Sequence, residues 1–180
     1  QIFSGTWGED VSDAVAREKV LARVIRVSDI KETLTIDYEG APSRLVTEHE
    51  AKRLALRKGD IVVVKSSGSK AKVISGRAAL FTREKGLFLP SNFVFAVRPK
   101  LIMIPEFLWY WLNSAEIQKW IQNIVATFTY PNLKKTDYVN APIPLPPLSE
   151  QRCIVAHLEA VQERVRALKE AQSATEAELK

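Results

Sequence analysis

The chain has 180 residues, of which 46% are hydrophobic and 26% charged, as expected for one globular domain with a sizeable core and an appendage. No apolar run approaches the length needed to span a bilayer, so we predict no membrane association. A single cysteine, Cys153, excludes an internal disulfide and favours a reducing, cytoplasmic location.

The net charge of +5 is concentrated in the middle of the chain. Residues 61–100 carry eight basic side chains against one acidic side chain, Glu84, whereas residues 1–60 carry ten basic and eleven acidic. Localised positive charge is what phosphate neutralisation requires, so nucleic acid leads the list of partners. The alternative interpretation is that the excess charge only keeps the protein soluble.

Short strands dominate the first hundred residues. Alternating and β-branched segments predict strands over residues 20–27, 33–38, 60–64, 73–74, 78–82 and 93–98. We expect Arg23 and Arg26 to point away from the core, and turns at Gly76 and Gly86. Thr47 and Glu50 have the spacing of a capping box and predict a short helix over 50–56. Together these elements predict an α+β fold built around a compact, curled β-sheet.

Aromatic residues mark the start of the chain and a later helical region. The opening Gly5-Thr6-Trp7-Gly8 has the composition of a turn, and we expect Trp7 at the rim of a cleft. Pro105 suits a first helical turn, and apolar residues then recur three and four apart as far as Ile124, with Ser114 placed to cap a second helix. This helical subregion is expected to bury most of Trp109, Trp111 and Trp120.

Two polar loops, over 65–72 and 127–135, carry the candidate binding side chains. Lysine and arginine neutralise phosphates, whereas serine, asparagine and tyrosine can reach base edges or sugars. The candidate phosphate contacts are Lys65, Lys70, Lys72, Arg77, Lys134 and Lys135. The candidate base contacts are Ser66, Ser69, Tyr130 and Asn132. Each loop has an ordinary alternative: an exposed hairpin loop kept soluble by its polar residues, and a helix-to-strand connection with asparagine at a turn.

Catalytic chemistry is difficult to assemble from this sequence. His49 and His157 are the only histidines, and the chain contains no CxxC pair and no phosphate-cradling glycine loop. Asp37, Glu50 and Lys52 superficially follow a nuclease pattern, but Glu50 and Lys52 fall in a predicted helix rather than on adjacent strands. We therefore predict a binding protein with neither a catalytic centre nor a metal site.

The C-terminal fifth joins a proline-rich segment to a long helix. Proline restricts its own backbone and that of the preceding residue, so residues 142–147 are predicted to form a stiff, extended strap, with Ser149 capping the following helix. Apolar and small polar residues then alternate at gaps of four and three, which is typical of a coiled-coil seam and predicts a partner helix. The seam consists of Ile154, Leu158, Val161, Val165, Leu168, Gln172, Thr175 and Leu179.

Several segments, taken in order, resemble one known family. The sequence LRKGDIVVVKSSG is followed by GRAALF, SNFVFAVRP, PEFLWYWLNS and finally PLPPLSEQRCIVAHLEAV at residues 144–161. This order and spacing are similar to the target-recognition domain and conserved helix of specificity subunits in type I restriction–modification systems. The resemblance implies a recognition domain over 1–141, a connector over 142–148 and a spacer and dimerisation helix over 149–180.

The resemblance also implies partners. Such a subunit has two recognition domains, each reading half of a bipartite site in double-stranded DNA, and two helices that pair as an antiparallel coiled coil. Modification (methyltransferase) and restriction subunits dock on it, so S-adenosylmethionine is expected on the modification subunit and no cofactor on this chain. This sequence holds one domain and one helix. It fits either a half-subunit that homodimerises on a palindromic bipartite target, or one half of a longer chain.

Two other interpretations remain open at the level of sequence. The chain could be the recognition domain of a fused restriction–methyltransferase enzyme, tethered to catalytic domains rather than presenting its helix to partners. It could also be a coiled-coil adaptor whose basic face binds RNA or an acidic protein, indifferent to the sequence of duplex DNA.

Overall fold

The computed structural model of the chain describes residues 1–11, 19–66, 73–125 and 132–178. Seven strands form two sheets. The first sheet has the order β1 (Ile2–Ser4), β7 (Val94–Val97), β4 (Ile61–Val64), β5 (Ala78–Leu80), and all its neighbours are antiparallel. The second has the order β3 (Ser43–Thr47), β2 (Lys19–Ile25), β6 (Phe88–Pro90), in which β2 and β6 are parallel.

The first sheet lies between two hydrophobic clusters. Val62 and Val64 of β4 join a cluster with the second sheet and helix α1 (Glu48–Leu54). Ile61 and Val63, on the opposite face of β4, join a cluster with the helical subregion. All four side chains are fully buried, which explains why the strand reads as a continuous apolar run rather than as an alternation. The α+β class and the helical subregion predicted from sequence are confirmed.

The helical subregion consists of α2 (Pro105–Leu112), α3 (Ala115–Val125) and α4 (Lys135–Val139). Pro105 stands in the first turn of α2, and the Ser114 hydroxyl accepts a 3.5 Å hydrogen bond from the Ile117 N–H at the start of α3, as the sequence predicted. Trp109 and Trp111 are half-buried. The ring N–H of Trp109 donates to the carbonyl oxygen of Ala78, and that of Trp111 donates to the carbonyl oxygen of Pro142.

Helix α1 begins with the predicted capping box. The Thr47 hydroxyl accepts from the Glu50 N–H, and the Glu50 carboxylate accepts from the Thr47 N–H at 3.0 Å. Burial alone would raise the pKa of Glu50, but the hydrogen bonds from Thr47 and Thr6 outweigh it and the pKa lies below its ordinary value. The Glu50 carboxylate is thus bonded to Thr47 and Thr6, whereas the Asp37 carboxylate is bonded to Gly40 and Lys31, so the two share no partner.

Several local predictions were wrong. Residues 33–38 do not form a strand: Leu34 adopts a positive φ of 62°, and only an isolated bridge joins Ile30 to Ile36. Residues 73–74 are irregular. Strands β1, β3 and β6 were missed, β6 because it is three residues long and ends in a proline, a signal that argues against strand.

Helix α5 (Leu148–Glu178) follows the proline strap, which forms neither helix nor strand. The helix begins at Leu148, so Ser149 lies inside its first turn and is not its cap. This correction follows from the strap, because the Pro147 carbonyl already accepts the first helical hydrogen bond, from Gln151 N–H at 3.0 Å. The helix contacts the domain chiefly through α2. None of the helices in the described ranges combines the length and apolarity needed to cross a membrane.

An ion pair with a buried carboxylate joins the start of β4 to the end of β7, the two central strands of the first sheet. Arg98, just after β7, donates from Nε and one terminal nitrogen to the two oxygens of Asp60, just before β4, at 2.8 and 2.7 Å. Asp60 also accepts the Arg57 N–H, and its side chain is 2% exposed. The hydrogen bonds that Arg98 donates to Asp60 raise the pKa of Arg98.

Replacing Arg98 with methionine would leave the Asp60 carboxylate buried without its partner. We expect Arg98→Met to lower the free energy of unfolding by about 3 kcal/mol, measured by urea denaturation. Lys58→Met is the matched control. It breaks the exposed Lys58–Glu84 pair, so it should leave the free energy of unfolding and the urea midpoint unchanged. Equal loss in both variants would contradict a special role for the buried pair.

Candidate nucleic-acid interface

The described ends of the two polar loops predicted from sequence meet in the structure. An isolated antiparallel bridge joins Ser66 to Asn132, and the Leu133 N–H donates to the Lys65 carbonyl oxygen at 2.8 Å. Lys65 and Ser66 leave the end of β4, whereas Asn132 and Leu133 lead into α4. We call residues 65–66 and 132–135 the loop pair. Side chains chosen from separate parts of the sequence therefore lie on one surface.

Buried residues beneath the loop pair fix its position. Leu133 is fully buried in the second hydrophobic cluster, and Tyr138 of α4 stacks on Phe95 with ring centroids 6.3 Å apart. Burial raises the pKa of Tyr138, so this hydroxyl stays neutral. The Lys65 ammonium lies 5.8 Å from the Phe95 ring centroid. Lys134 and Lys135, at the start of α4, are exposed on this anchored base.

A cleft of about 800 Å³ lies beside the loop pair. Its wall combines aromatic, cationic and hydroxyl side chains. The lining residues are Trp7, Arg26, Val27, Ser28, Ile30, Lys31, Glu32, Ile74, Arg77, Ser91, Asn92 and Phe93. Trp7 is 41% exposed and lies on this wall, as predicted, with the Arg44 guanidinium 4.9 Å from its ring centroid.

Phe93 links the cleft to the loop pair, and sequence reasoning missed it. The residue is 54% exposed, while its carbonyl oxygen accepts the Lys65 N–H at 2.9 Å. The sequence assigned Phe93 to the start of a strand, which would have given it an ordinary place in the sheet. The strand instead begins at Val94, so Phe93 is left in the turn that faces the cleft. An aromatic ring in this position can stack on an unpaired base or pack on a sugar.

Arg77 lies in the cleft wall rather than beside the loop pair. It follows Gly76, whose φ of +89° and closeness to Ile121 suit glycine alone, since an added Cβ would lie 2.5 Å from the Ile121 Cδ1. The Arg77 side chain is 19% exposed, pairs with Glu32 at 3.9 Å and donates to the Ile30 carbonyl at 3.4 Å. Its role as a phosphate contact stays a prediction.

The other cations of the cleft also have acidic neighbours. Arg26 pairs with Asp29 at 2.8 Å and Lys31 with Asp37 at 3.0 Å. The Arg26 pKa is raised by its hydrogen bonds to Asp29, and the Asp37 pKa is lowered, first by the Gly40 N–H and then by Lys31. The cleft therefore presents positioned guanidinium and ammonium groups rather than a strongly positive field. Lys135 has no acidic partner among the described residues.

Five of the predicted residues cannot be placed. Four belong to the two polar loops and one ends the helical seam. Ser69, Lys70, Lys72, Tyr130 and Leu179 lie outside the described residues.

Helix α5 presents two different faces. Gln151 and Val155 are buried against the domain, and Ile154 and Leu158 are half-buried. The later seam residues lie on a different side of the helix. At about 3.6 residues per turn, they are rotated about the helix axis by roughly a quarter turn from the face that carries Gln151 and Val155. They are exposed, and comprise Val161, Val165, Leu168, Gln172 and Thr175. The apolar stripe thus continues past the part of the helix that its own domain covers.

The histidines occupy exposed helical positions. His49 lies on α1 and His157 on α5, both at the surface. In the part of the chain that the structure describes, no three histidine, cysteine, aspartate or glutamate side chains gather closely enough to hold a metal ion.

Comparison with known proteins agrees with this geometry. Residues 24–178 match the model of the type I restriction modification DNA specificity domain. A chain from a structure described as the basis of complex assembly and conformational transition of the type I R-M system is 26% identical, with a TM-score of 0.65 over 99% of this chain and 40% of that chain.

A second similar structure shows the fold alone. The HsdS subunit of Thermoanaerobacter tengcongensis is 22% identical, with a TM-score of 0.60 over 96% of this chain and 37% of that chain. The present sequence thus spans about two-fifths of the length of either solved relative. No curated protein matches the chain.

Proposed function

The chain belongs to the type I restriction modification DNA specificity domain family, and we propose that it is a non-catalytic DNA-recognition subunit, or half-subunit, of a type I restriction–modification system. The observation that carries this proposal is the Ser66–Asn132 bridge, which brings Lys65 and Ser66 of one candidate loop next to Asn132 and Lys134 of the other. Each copy would read half of a bipartite site in double-stranded DNA.

The loop pair and the cleft suggest how the tasks divide. Lys65, Lys134 and Lys135 would position the duplex through its phosphates, because lysine acts as a flexible point charge and carries no base information. Ser66 and Asn132 lie beside these lysines, so their side chains would be within reach of base edges once the backbone is docked. Ser69, Lys70, Lys72, Arg77 and Tyr130 complete the proposed DNA-binding set.

The exposed seam of α5 supports a partner helix. An apolar stripe that continues beyond the domain is stabilised when a second helix covers it, and Gln172 within the stripe would specify register. We propose that this partner is the helix of a second specificity half, in a homodimer. The modification (methyltransferase) and restriction subunits would dock on the assembled domains and helices. S-adenosylmethionine would be held by the modification subunit, in the cytoplasm.

Selection from a randomised duplex DNA library tests the proposal. Purified protein, with and without a modification subunit and at stated salt, should enrich a two-part palindrome with a fixed gap. A single short half-site would instead indicate one half of a longer chain. No enrichment in either condition would contradict sequence-specific recognition and favour the adaptor.

Lys135→Ala tests the phosphate contacts of the loop pair. Loss of one phosphate contact should weaken binding about equally for all sequences and reduce the slope of log K against log salt by about one. Fluorescence anisotropy over a salt series measures both quantities. Lys52→Ala is the control, since Lys52 is an exposed lysine on α1, which packs against the second sheet. An unchanged slope for Lys135→Ala would place the duplex elsewhere.

Val165→Glu tests the seam. A carboxylate at a covered position would be buried without a partner, so self-association should weaken at least about tenfold, as followed by analytical ultracentrifugation. Ala167→Glu is a matched control, because Ala167 is exposed on a different side of the same helix. A wild-type chain that stays monomeric at high concentration would contradict the homodimer.

A further inference from the structure

A single buried amide joins α5 to the domain. Gln151 is fully buried, alone among the described polar side chains of α5. Its Oε1 accepts the Ile104 N–H at 2.8 Å, and its Nε2 donates to the carbonyl oxygens of Ile102 at 2.9 Å and Pro146 at 2.8 Å. One side chain thus forms hydrogen bonds to three segments: the turn before α2, the N-cap residue of α2, and the proline strap.

The other contacts at this joint are less directional. Val155 is buried, but apolar contact permits sliding and rotation. The hydrogen bond from the Tyr110 hydroxyl to Gln162 Oε1, at 3.0 Å, and that from Trp111 to the Pro142 carbonyl, at 2.9 Å, are both exposed to solvent. Water can replace these exposed bonds at little cost, whereas the Gln151 side chain is fully buried, so its amide would be left without partners if its bonds were broken.

Small changes at the joint are amplified along the helix. With 31 residues and a rise of about 1.5 Å per residue, α5 is about 46 Å long. A tilt of about 10° at its base would displace its far end by about 8 Å, more than two base-pair steps of about 3.4 Å. A helix that separates two DNA-reading domains can therefore specify a gap only if its base is held at a fixed angle.

We infer that Gln151 is a positioning residue that sets the angle of α5 to the recognition domain and so limits the gap length accepted between half-sites. This inference rests on the proposed function for its DNA consequence, but the fixed angle itself can be measured without DNA.

The first test measures the joint directly. In a Cys153→Ser background, spin labels at Lys52→Cys on α1 and Ala174→Cys on α5 report the distance between domain and helix, with labelled chains diluted into unlabelled ones. Gln151→Met keeps the volume of the side chain and removes all three hydrogen bonds. We expect it to broaden the distance distribution about twofold. Gln162→Met, which removes the exposed bond to Tyr110, should leave the width unchanged.

A second variant guards against simple misfolding. Gln151→Glu keeps the acceptor for Ile104 but replaces the donor to both carbonyls, so it should also broaden the distribution. Circular dichroism reports whether each variant is folded. An unchanged width in both variants, or equal broadening in Gln162→Met, would overturn the inference. Failure of both variants to fold would overturn it too, because Gln151 would then determine the fold rather than the angle.

The second test concerns DNA. In a library whose gap is varied one base pair at a time, the wild type should select one gap length, and Gln151→Met should spread over neighbouring lengths while keeping the same half-site sequence. A shift in half-site sequence, or an unchanged gap, would contradict the positioning role. Absence of any two-part site for the wild type would contradict the proposed homodimer, and the spin-label widths would then decide on Gln151 alone.

Discussion

Burial of strand β4 on both faces is the constraint on which the rest of the domain depends. Residues 61–64 divide the hydrophobic interior, since alternate side chains enter two separate clusters. A strand in this position must be apolar throughout. The backbone N–H and C=O groups at its two ends must find hydrogen-bond partners in other segments. Asp60 at one end anchors Arg98, while Lys65 at the other end pairs with Phe93 and Leu133. The candidate DNA surface is therefore attached to a strand that is fully buried on both faces.

Sequence reasoning succeeded where a local signal agrees with the tertiary environment. The continuous apolar run of β4, the Thr47–Glu50 capping box and the proline strap each leave few alternatives. It failed at Leu34, whose positive φ is imposed by a turn that no residue-type preference indicates. The meeting of the two loops could be expected only from a family resemblance, because a bridge between Ser66 and Asn132 depends on how β4 and α4 pack, which no short-range pattern records.

Charge is the property for which the linear sequence is most misleading. The segment 61–100 holds the whole of the basic excess, yet the fold brings acidic residues from the first sixty positions against it: Asp60 binds Arg98, Glu32 lies near Arg77, and Glu39 lies near Arg83. Part of the apparent positive patch is thus structural. All three arginines of this segment have acidic partners, whereas Lys65, Lys85 and Lys100 have none among the described residues, and this favours general positioning of a phosphate backbone over bidentate recognition.

Helix α5 must meet two requirements that a single amphipathic stripe cannot satisfy. Its first turns need a surface that seats against α2, and under the proposed function its remaining turns need a surface for a partner helix. The sequence meets both by rotating the apolar stripe away from the Gln151–Val155 face, with Leu158 at the junction half-buried. Because seating uses a buried amide and the proposed pairing would use an apolar seam, exchange of a partner along the seam would leave the joint in place. The angle of the helix can then be a property of one chain, while the span between two recognition domains is a property of the pair.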